Sequence, residues 1–354
     1  MHWKSFQQKL KKGKSITAKN AIVGDYKVVA GGKNFAYMHN EFNRMENTIT
    51  ISASGANAGF VNFWTEKIFA SDCTTVRADN YVGTKFIFTY LQSIQENIFD
   101  LARGAAQPHV YPDDIKRLPI PKVPLDIQQK VVEECQKIDD EFNRTRMQIE
   151  EYRAKFAKIF NELEIVRGGV KRFKINELQL LLKRGKSPKY GNSSIQVIKS
   201  GQARGYNEFL FNERFFLADN FIIDERKLQK GDILINSTGE GTAGRVTLFG
   251  LDGDFVVDSH ITIFRPNEKV LPKFAMYSLA HIGFKTIERM ATGASGQIEL
   301  NLSTIGNISF LVPDLNEQQS IVNQINEIET QISELEKVLE NSRQEKKAVL
   351  DKWL

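Results

Sequence analysis

The chain has 354 residues, more than one ordinary domain, and this length favours two domains or two halves. It is 41% hydrophobic and 26% charged, and no apolar run approaches the ~20 residues of a membrane span. The net charge of +5 favours an anionic partner only weakly. The two cysteines are too few for a disulfide framework or a zinc site and are expected as free thiols. The N-terminal stretch lacks the apolar core of a secretory signal, so a cytoplasmic location is expected.

Four blocks of sequence occur twice, in the same order in both halves. The pairs are LKKGKS (10–15) with LKRGKS (182–187), SASGANAGFVNF (52–63) with NSTGEGTAGRVTLF (236–249), LARGAAQPHVYPDDI (101–115) with MATGASGQIELNLSTI (290–305), and PLDIQQKVVEEC (124–135) with PDLNEQQSIVNQI (313–325). Four matches in one order are not expected by chance. The chain therefore predicts two copies of one unit, each a globular domain followed by a long helix.

Both helical stretches carry a heptad seam. Seam positions with alternating spacings of four and three run from Val131 to Leu163, and the same seam recurs from Ile321 to Trp353. Such a repeat predicts a coiled coil, with ordinary core-facing helices as the alternative. Ser342 and Lys346 are polar seam positions, expected to weaken the pairing locally or to set its register.

The helix ends and the direction of pairing are also predicted. Asp126 and Asn316 are the expected N-caps, each followed by a glutamine three residues later in a capping-box arrangement. Gly168-Gly169 is expected to end the first helix. That helix would be ~60 Å long, and a parallel second helix would force the second domain to span this length. We therefore predict an antiparallel pair with a globular domain at each end, related by a pseudo-two-fold axis.

The predicted fold class is mixed α/β. The β-branched runs GDYKVVAGG and NTITISASG in the first half, and SIQVIKSG, GDILINSTG, GRVTLF and HITIFRP in the second, predict strands. Single helices are expected near 85–99 and 273–290. The expected domains are 1–122 (first globular domain), 123–167 (first helix), 168–313 (second globular domain) and 314–354 (second helix).

Motifs for catalysis or cofactor binding are not found. The tripeptide GKS occurs at Gly13 and Gly185, but neither has the further glycine that a phosphate-binding loop requires. The glycine-rich STGEGTAG (237–244) is interpreted as a tight strand turn. Nucleophile elbows and zinc-protease motifs are absent from the sequence. No cofactor, no metal and no catalytic residue are therefore predicted, and a nuclease is left as a minor alternative.

The loops of both halves carry side chains that suit DNA reading. Arg and Lys read guanine edges, Asn and Gln read adenine edges, and Lys, Ser and Thr hold phosphates. In the first half the candidates are Lys33, Asn34, His39, Asn40, Asn43, Arg44, Asn57, Arg103 and Gln107. In the second half they are Lys199, Gln202, Arg204, Tyr206, Asn207, Arg245, Arg289 and Gln297. Their recurrence in corresponding loops is the main reason to select them.

Two globular regions alternate with two long helices, and each helix opens with L-x-x-QQ-x-(I/V) after a proline. This pattern resembles the specificity (S) subunit of type I restriction-modification systems, over essentially the whole chain. The resemblance implies two target-recognition domains separated by an antiparallel pair of coiled-coil helices. Each domain would read one half of a bipartite, asymmetric site in double-stranded DNA, and the helices would set the spacer length.

The same resemblance implies partners. The subunit would be non-catalytic and would assemble with two methyltransferase (M) subunits and with motor-nuclease (R) subunits, which supply the S-adenosylmethionine and ATP chemistry. No membrane partner is expected. Two alternatives are the specificity component of a type IIB or IIG-like system and a coiled-coil scaffold that binds proteins instead of DNA.

Overall fold

A computed structural model describes residues 10–104, 106–165, 170–294 and 296–354, and the helix stop predicted at Gly168-Gly169 lies outside these ranges. The chain divides into two compact units. Unit 1 holds the chain up to Gln148 together with Leu335–Leu354, and unit 2 holds Ile149–Glu334. Each unit thus combines one globular region with a segment from both long helices.

The elements of unit 1 follow the chain in order. Its strands are β1 (Lys11–Lys12), β2 (Tyr26–Val29), β3 (Tyr37–His39), β4 (Thr48–Ser52), β5 (Val61–Trp64), β6 (Ile68–Ala70) and β7 (Cys73–Val76). Its helices are α1 (Tyr81–Ser93), α2 (Gln95–Phe99), α3 (Pro112–Ile115) and the first part of the long helix α4 (Leu125–Ile165), with a 3-10 turn at Ala18–Asn20. One sheet has the order β1-β7-β4-β5 and is antiparallel throughout. The other has the order β3-β2-β6, in which β2 and β6 are parallel.

The elements of unit 2 repeat this plan with additions. Its strands are β8 (Lys171–Lys174), β9 (Gln179–Arg184), β10 (Gln196–Ile198), β11 (Ala203–Gly205), β12 (Glu208–Phe209), β13 (Phe215–Phe216), β14 (Ile233–Asn236), β15 (Val246–Leu248), β16 (Phe255–Val257), β17 (Ile261–Pro266) and β18 (Ser309–Val312). Its helices are α5 (Ile175–Leu178), α6 (Pro272–Ile282), α7 (Phe284–Glu288), α8 (Leu302–Asn307) and the first part of the long helix α9 (Leu315–Trp353).

The sheets of unit 2 match those of unit 1 strand for strand. The order β9-β17-β14-β15 is antiparallel, and β13-β10-β16 pairs β10 parallel with β16. Unit 2 adds the hairpin β11–β12 and the pair β8–β18. The shared strand orders confirm the mixed α/β fold and the internal repeat. The helices predicted near 85–99 and 273–290 are present, each split in two, as α1 with α2 and α6 with α7.

The first part of α4 pairs with the last part of α9 within unit 1. Lys346 forms an ion pair with Asp139, and Lys352 lies 3.0 Å from Glu134. Residue numbers rise along α4 as they fall along α9, so this pair is antiparallel, as predicted. Lys346 is one of the two polar seam positions that were expected to weaken the pairing locally or to set its register.

The last part of α4 and the first part of α9 share the core of unit 2. Phe160 and Leu163 are buried in one cluster with Ile321 and Ile325, which α9 contributes from its own first turns. The end of one helix thus packs beside the start of the other. This arrangement again fits the antiparallel pairing that the heptad seam predicted.

Both predicted helix caps, Asp126 and Asn316, are wrong by two residues. Helix α4 begins at Leu125, so Pro124 occupies its cap position. Helix α9 begins at Leu315, and the Asp314 carboxylate accepts hydrogen bonds from the amides of Asn316 (2.9 Å) and Glu317 (3.0 Å). Asp314 is therefore the cap, since a residue inside the first turn cannot receive these bonds. In place of a capping box, the Gln318 side chain donates to the Pro313 carbonyl at 2.8 Å.

Both GKS tripeptides lie where the backbone is closely packed. A Cβ atom at Gly13 would lie 1.9 Å from the Ser71 carbonyl oxygen, and one at Gly185 would lie 2.1 Å from that of Asp258. Glycine is needed here for close approach, because any side chain would collide with the backbone. The two tripeptides directly follow the equivalent strands β1 and β9.

Two further expectations concern thiols and membranes. Cys73 and Cys135 are buried free thiols, and burial raises their pKa values to about 12 and about 11. Of the helices in the described ranges, none is both long and apolar enough to cross a membrane.

Candidate nucleic-acid interface

Three loops of unit 1 meet beyond the end of β4. The Gly55 amide donates to the Pro108 carbonyl at 3.0 Å, which joins the β4–β5 loop to the loop after α2. The Ser52 hydroxyl lies 3.4 Å from the Gly32 carbonyl, which brings in the β2–β3 loop. The structure therefore gathers the loops that hold five predicted residues of the first half: Lys33, Asn34, Asn57, Arg103 and Gln107. The other four lie at the end of β3 or between β3 and β4, outside these three loops: His39, Asn40, Asn43 and Arg44.

The equivalent loops of unit 2 meet in the same way. The Gly239 amide donates to the Ile298 carbonyl at 3.1 Å. The Asn236 side chain donates to the Ser200 carbonyl at 2.9 Å, which brings in the loop after β10. Each unit thus presents one composite loop surface, built on the same hydrogen-bonding scheme.

Most of the predicted side chains of the two units are exposed. The exposed candidates are Lys33, Asn34, Asn40, Arg103, Gln107, Arg204, Tyr206, Asn207, Arg289 and Gln297, and the half-buried ones are Asn57, Lys199 and Arg245. Arg103 is held by an ion pair of 2.6 Å to the buried Asp114. An exposed polar group on a loop is free to exchange water for a base edge or a phosphate.

Three predicted residues of unit 1 are engaged inside the unit. His39 is buried, with its Nδ1 atom 3.2 Å from the backbone of Ile22. Asn43 makes two hydrogen bonds, of 2.7 and 2.9 Å, to the backbone of Ala70. Arg44 donates to the Thr75 hydroxyl at 2.7 Å, and burial lowers its pKa. The hydrogen bonds of these three side chains are therefore made within unit 1.

Unit 2 has similar internal contacts. The buried Gln202 donates to the Glu213 carbonyl at 2.6 Å and accepts from the Lys199 amide, which fixes the loop after β10. The Lys199 ammonium lies 3.3 Å from the centre of the Phe215 ring. Lys199 is therefore held by a cation–π contact that limits its freedom.

A doubly basic spot lies at the hairpin of unit 2. Burial lowers the pKa of Arg245, and the neighbouring Arg204 lowers it further. Within the described residues Arg204 forms no ion pair, so the two guanidinium groups share a spot without a compensating carboxylate. Such a spot attracts a phosphate or a guanine edge.

Sequence reasoning missed the acidic residues that border these loops. Asp72 bonds the Ser54 hydroxyl in unit 1, and Asp258 accepts from the His260 amide at 2.9 Å in unit 2. Burial raises the pKa of Asp258. Both aspartates lie at the turn that packs against the glycine of a GKS tripeptide, and this shared position in the repeat could have identified them.

The site holds no arrangement typical of a metal centre. In the part of the chain that the structure describes, no group of three His, Cys, Asp or Glu side chains could hold a metal ion. What the loops offer is a set of cationic, amide and hydroxyl groups on two corresponding surfaces, which suits recognition of a polyanion with base edges.

A repeated α/β domain with polar loops on paired helices defines a class of DNA-specificity proteins, and comparison with known proteins agrees. The family model described as "Type I restriction modification DNA specificity domain" matches residues 4–151 and 168–342. These matches cover most of the chain, which therefore belongs to the type I restriction-modification DNA specificity family.

Individual relatives are more distant. A provisionally assigned type I specificity subunit of Mycoplasma pneumoniae is 36% identical over 118 residues, 32% of this chain and 31% of the relative. The type I restriction enzyme StySPI specificity subunit of Salmonella potsdam is 26% identical over 158 residues, 42% of this chain and 34% of the relative. The matches thus span about a third of the length of each of these relatives.

Solved structures resemble the whole chain in fold. The crystal structure of a type I restriction-modification S subunit from M. genitalium has a TM-score of 0.61 at 22% identity, covering 98% of this chain and 93% of that one. A chain from a structural study of complex assembly and conformational transition of the type I R-M system has a TM-score of 0.58 at 15% identity, covering 100% and 96%. At these identities the likeness is one of fold.

Proposed function

We propose that this chain is the DNA-reading specificity subunit of a type I restriction-modification complex and has no catalytic activity of its own. The observation that carries the proposal is that the family match covers both halves, and the two halves have the same strand order but different exposed loop residues. A shared scaffold with unlike reading surfaces suits a protein that reads two unlike half-sites.

The proposed domain layout is the one drawn from the sequence. Residues 1–122 and 168–313 would be the two target-recognition domains, and 123–167 and 314–354 the two helices that set the spacer between half-sites. Since a coiled coil resists bending, its length would fix the distance between the two DNA contacts.

Within each recognition surface the side chains divide by their packing. The exposed Lys33, Asn34 and Gln107 in unit 1, and the exposed Arg204, Asn207 and Gln297 in unit 2, would contact base edges or phosphates. His39 and Asn43 would act indirectly, because their hydrogen bonds hold the loops in place. Truncating one guanine-reading arginine is expected to cost ~1–3 kcal/mol of binding at its own base pair.

The proposed partners are double-stranded DNA, two methyltransferase subunits and motor-nuclease subunits. The M subunits would supply methyl transfer from S-adenosylmethionine, and the complex would work in the cytoplasm, where its DNA lies. Exposed charges on α4, such as the Glu150–Arg153 pair (3.1 Å), are candidates for the M-subunit contact.

The deciding experiment is to express the chain with its methyltransferase partner and map methylated sites in the host genome. We expect one bipartite motif with a fixed spacer. Replacing residues 170–312 by the recognition domain of another such protein should change one half-site and leave the other unchanged. A change in both half-sites would contradict independent reading.

A binding assay separates this function from a coiled-coil scaffold. With the methyltransferase partner present, binding to random-sequence duplex DNA should weaken steeply with salt. Duplex DNA that carries the mapped motif should bind ~10³-fold or more tightly than the random duplex. If no duplex binds, the scaffold alternative is favoured. Metal-dependent cleavage by the chain alone would instead favour a nuclease.

A further inference from the structure

The outer edge of β15 in unit 2 is covered by the β11–β12 hairpin. The Tyr206 amide donates to the Val246 carbonyl at 2.9 Å, and the Leu248 amide donates to the Tyr206 carbonyl. The Gly205 amide adds a hydrogen bond of 2.9 Å to the Thr247 hydroxyl. Tyr206 of the hairpin thus pairs with the outward backbone groups of β15.

Among the residues that the structure describes, the counterpart β5 in unit 1 has no such cover. The Val61 amide donates to the Gln95 side chain at 3.0 Å, and the Phe63 amide donates to the Asn62 side chain at 2.9 Å. Among the described residues, no strand pairs with this edge, and the outward carbonyls of Val61 and Phe63 accept no hydrogen bond. The β2–β3 loop, residues 30–36, contains no strand. An unpaired edge is a template for an added strand.

A cleft of about 580 Å³ opens beside this edge in unit 1. Val61 lines it, so an added strand would run along its mouth. Thr89 of α1, Asp139 of α4 and Lys346 and Lys347 of α9 line it further in. The edge and the cleft therefore form one continuous surface.

Unit 2 shows what fits the equivalent cleft. Thr89 of α1 corresponds to Tyr277 of α6. Buried Phe86 and Leu91 stand three residues before and two residues after Thr89, and buried Phe274 and Leu279 stand in the same way around Tyr277. The Tyr206 ring lies 6.4 Å from the Tyr277 ring. An aromatic side chain, projecting from a segment paired to the sheet edge, thus points to the place that is open in unit 1.

The two clefts differ in charge. At the 190-residue offset of the helix seam, Lys346 and Lys347 of unit 1 stand where unit 2 has Phe156 and Ala157. Lys346 pairs with Asp139, whereas Lys347 is exposed and has no ion pair among the described residues. Burial is the main cause that lowers the pKa of Lys85, which lies near the Lys346–Asp139 ion pair. The lining also holds Arg343 and Glu96, which pair at 3.3 Å, so among the described residues Lys347 is the basic group of the cleft left without an ion pair. The apolar part of the lining comes from Phe60, Phe142 and Leu350.

We propose that the β5 edge and this cleft are a docking site for an extended peptide segment of a partner protein, with an aromatic residue flanked by carboxylates. The peptide backbone pairs with the carbonyls of Val61 and Phe63. Its aromatic ring enters the cleft beside Thr89, and a carboxylate faces Lys347. The site does not depend on DNA reading by the loops.

The test uses the full chain and a fluorescent peptide in an anisotropy titration. The probe has the hairpin sequence Gln202–Phe209 with Arg204→Glu, so it carries one tyrosine and two carboxylates. We expect saturable binding, weakened about tenfold or more when the peptide tyrosine is replaced by alanine. In the protein, Thr89→Tyr fills the cleft as unit 2 does and should weaken binding about tenfold or more.

Charge variants keep the test valid if Thr89→Tyr alters folding. Lys347→Glu should weaken binding about fivefold, whereas the matched control Lys337→Glu, on the same helix outside the cleft, should change it less than about twofold. The proposal is wrong if no saturable binding occurs up to about 1 mM peptide. It is also wrong if the alanine peptide binds equally, if Lys337→Glu matches Lys347→Glu, or if a short duplex DNA displaces the probe. None of these results bears on DNA recognition by the loops.

Discussion

Units 1 and 2 share one strand order but differ in how the globular region meets the helices. In unit 2 this contact is aromatic: the Phe160 ring lies 5.0 Å from the His281 ring and 6.0 Å from the Phe274 ring. In unit 1 the contact is smaller and more charged, with Leu350 at the position of Phe160 and the pair Lys346–Asp139 close by. The sheet plan therefore does not depend on what fills this contact, which leaves it free to differ between the halves.

The largest expected effect tests this difference in packing. Phe160→Ala should destabilise unit 2 by about 4 kcal/mol, because it removes a buried ring with aromatic neighbours on three sides, whereas Leu350→Ala should cost unit 1 about 2.5 kcal/mol. Hydrogen exchange followed by mass spectrometry reports each unit separately. A larger loss for Leu350→Ala would mean that the aromatic contact does not carry the stability assigned to it.

The second prediction tests the equivalence of the two units. Gly13→Ala and Gly185→Ala should each destabilise their own unit by about 2–3 kcal/mol, since both put a Cβ atom about 2 Å from a backbone carbonyl oxygen. The control Gly201→Ala has open space around the new methyl group and should be close to neutral. Thermal unfolding and hydrogen exchange measure the three variants. Strongly unequal losses at Gly13 and Gly185 would argue against a common scaffold.

Periodicity and repetition predicted the scaffold well. Every position of the two heptad seams within the described ranges is buried or half-buried, and the strands expected at GDYKVVAGG, NTITISASG, SIQVIKSG, GDILINSTG, GRVTLF and HITIFRP are β2, β4, β10, β14, β15 and β17. Such patterns are local in sequence, and burial of an apolar stripe leaves few other arrangements. The exact helix starts were not predictable, since Asp314 and Asn316 are both good caps and only the backbone path selects one.

The candidate site was less predictable, because residue type does not reveal packing. Asn34 lies in the β2–β3 loop and Asn43 in the β3–β4 loop, and the two side chains have the same chemistry. Yet Asn43 is bound twice to the backbone of Ala70, while Asn34 is exposed. The difference depends on a contact across 27 residues of chain, which no local pattern encodes. The hairpin that covers β15 was missed for the same reason, since its partner strand lies far along the chain.

A third, smaller effect concerns a polar contact between α6 and α9 in unit 2. The Tyr277 hydroxyl donates to Glu329 at 2.6 Å and lies 3.2 Å from the Asn326 side-chain oxygen. Tyr277→Phe should cost about 1–2 kcal/mol, because Glu329 loses a donor in a half-buried place. Thr89→Val at the matching position of unit 1 should stay within about 0.5 kcal/mol. If both variants behave alike, the hydroxyl makes no contribution specific to unit 2.

The smallest expected effect is a pH dependence that His281 gives to unit 2. Burial against Phe160 lowers the pKa of His281 from its ordinary value near ~6.5, while Glu164 opposes this shift. The unfolded chain therefore binds the proton more readily than the folded one, so this contribution to stability is complete above the unfolded pKa and is lost as pH falls through the folded pKa.

Unit 1 has Ser93 at the matching position, which does not titrate. Unit 2 should lose stability between about pH 7.5 and about pH 5 in the wild type, and His281→Gln should remove that part of the loss. Hydrogen exchange in increasing urea, carried out at about pH 7.5 and at about pH 5, measures this loss of stability in each unit. The same pH dependence in the wild type and in His281→Gln would show that His281 is not its source, and the contrast with unit 1 would then rest on packing alone.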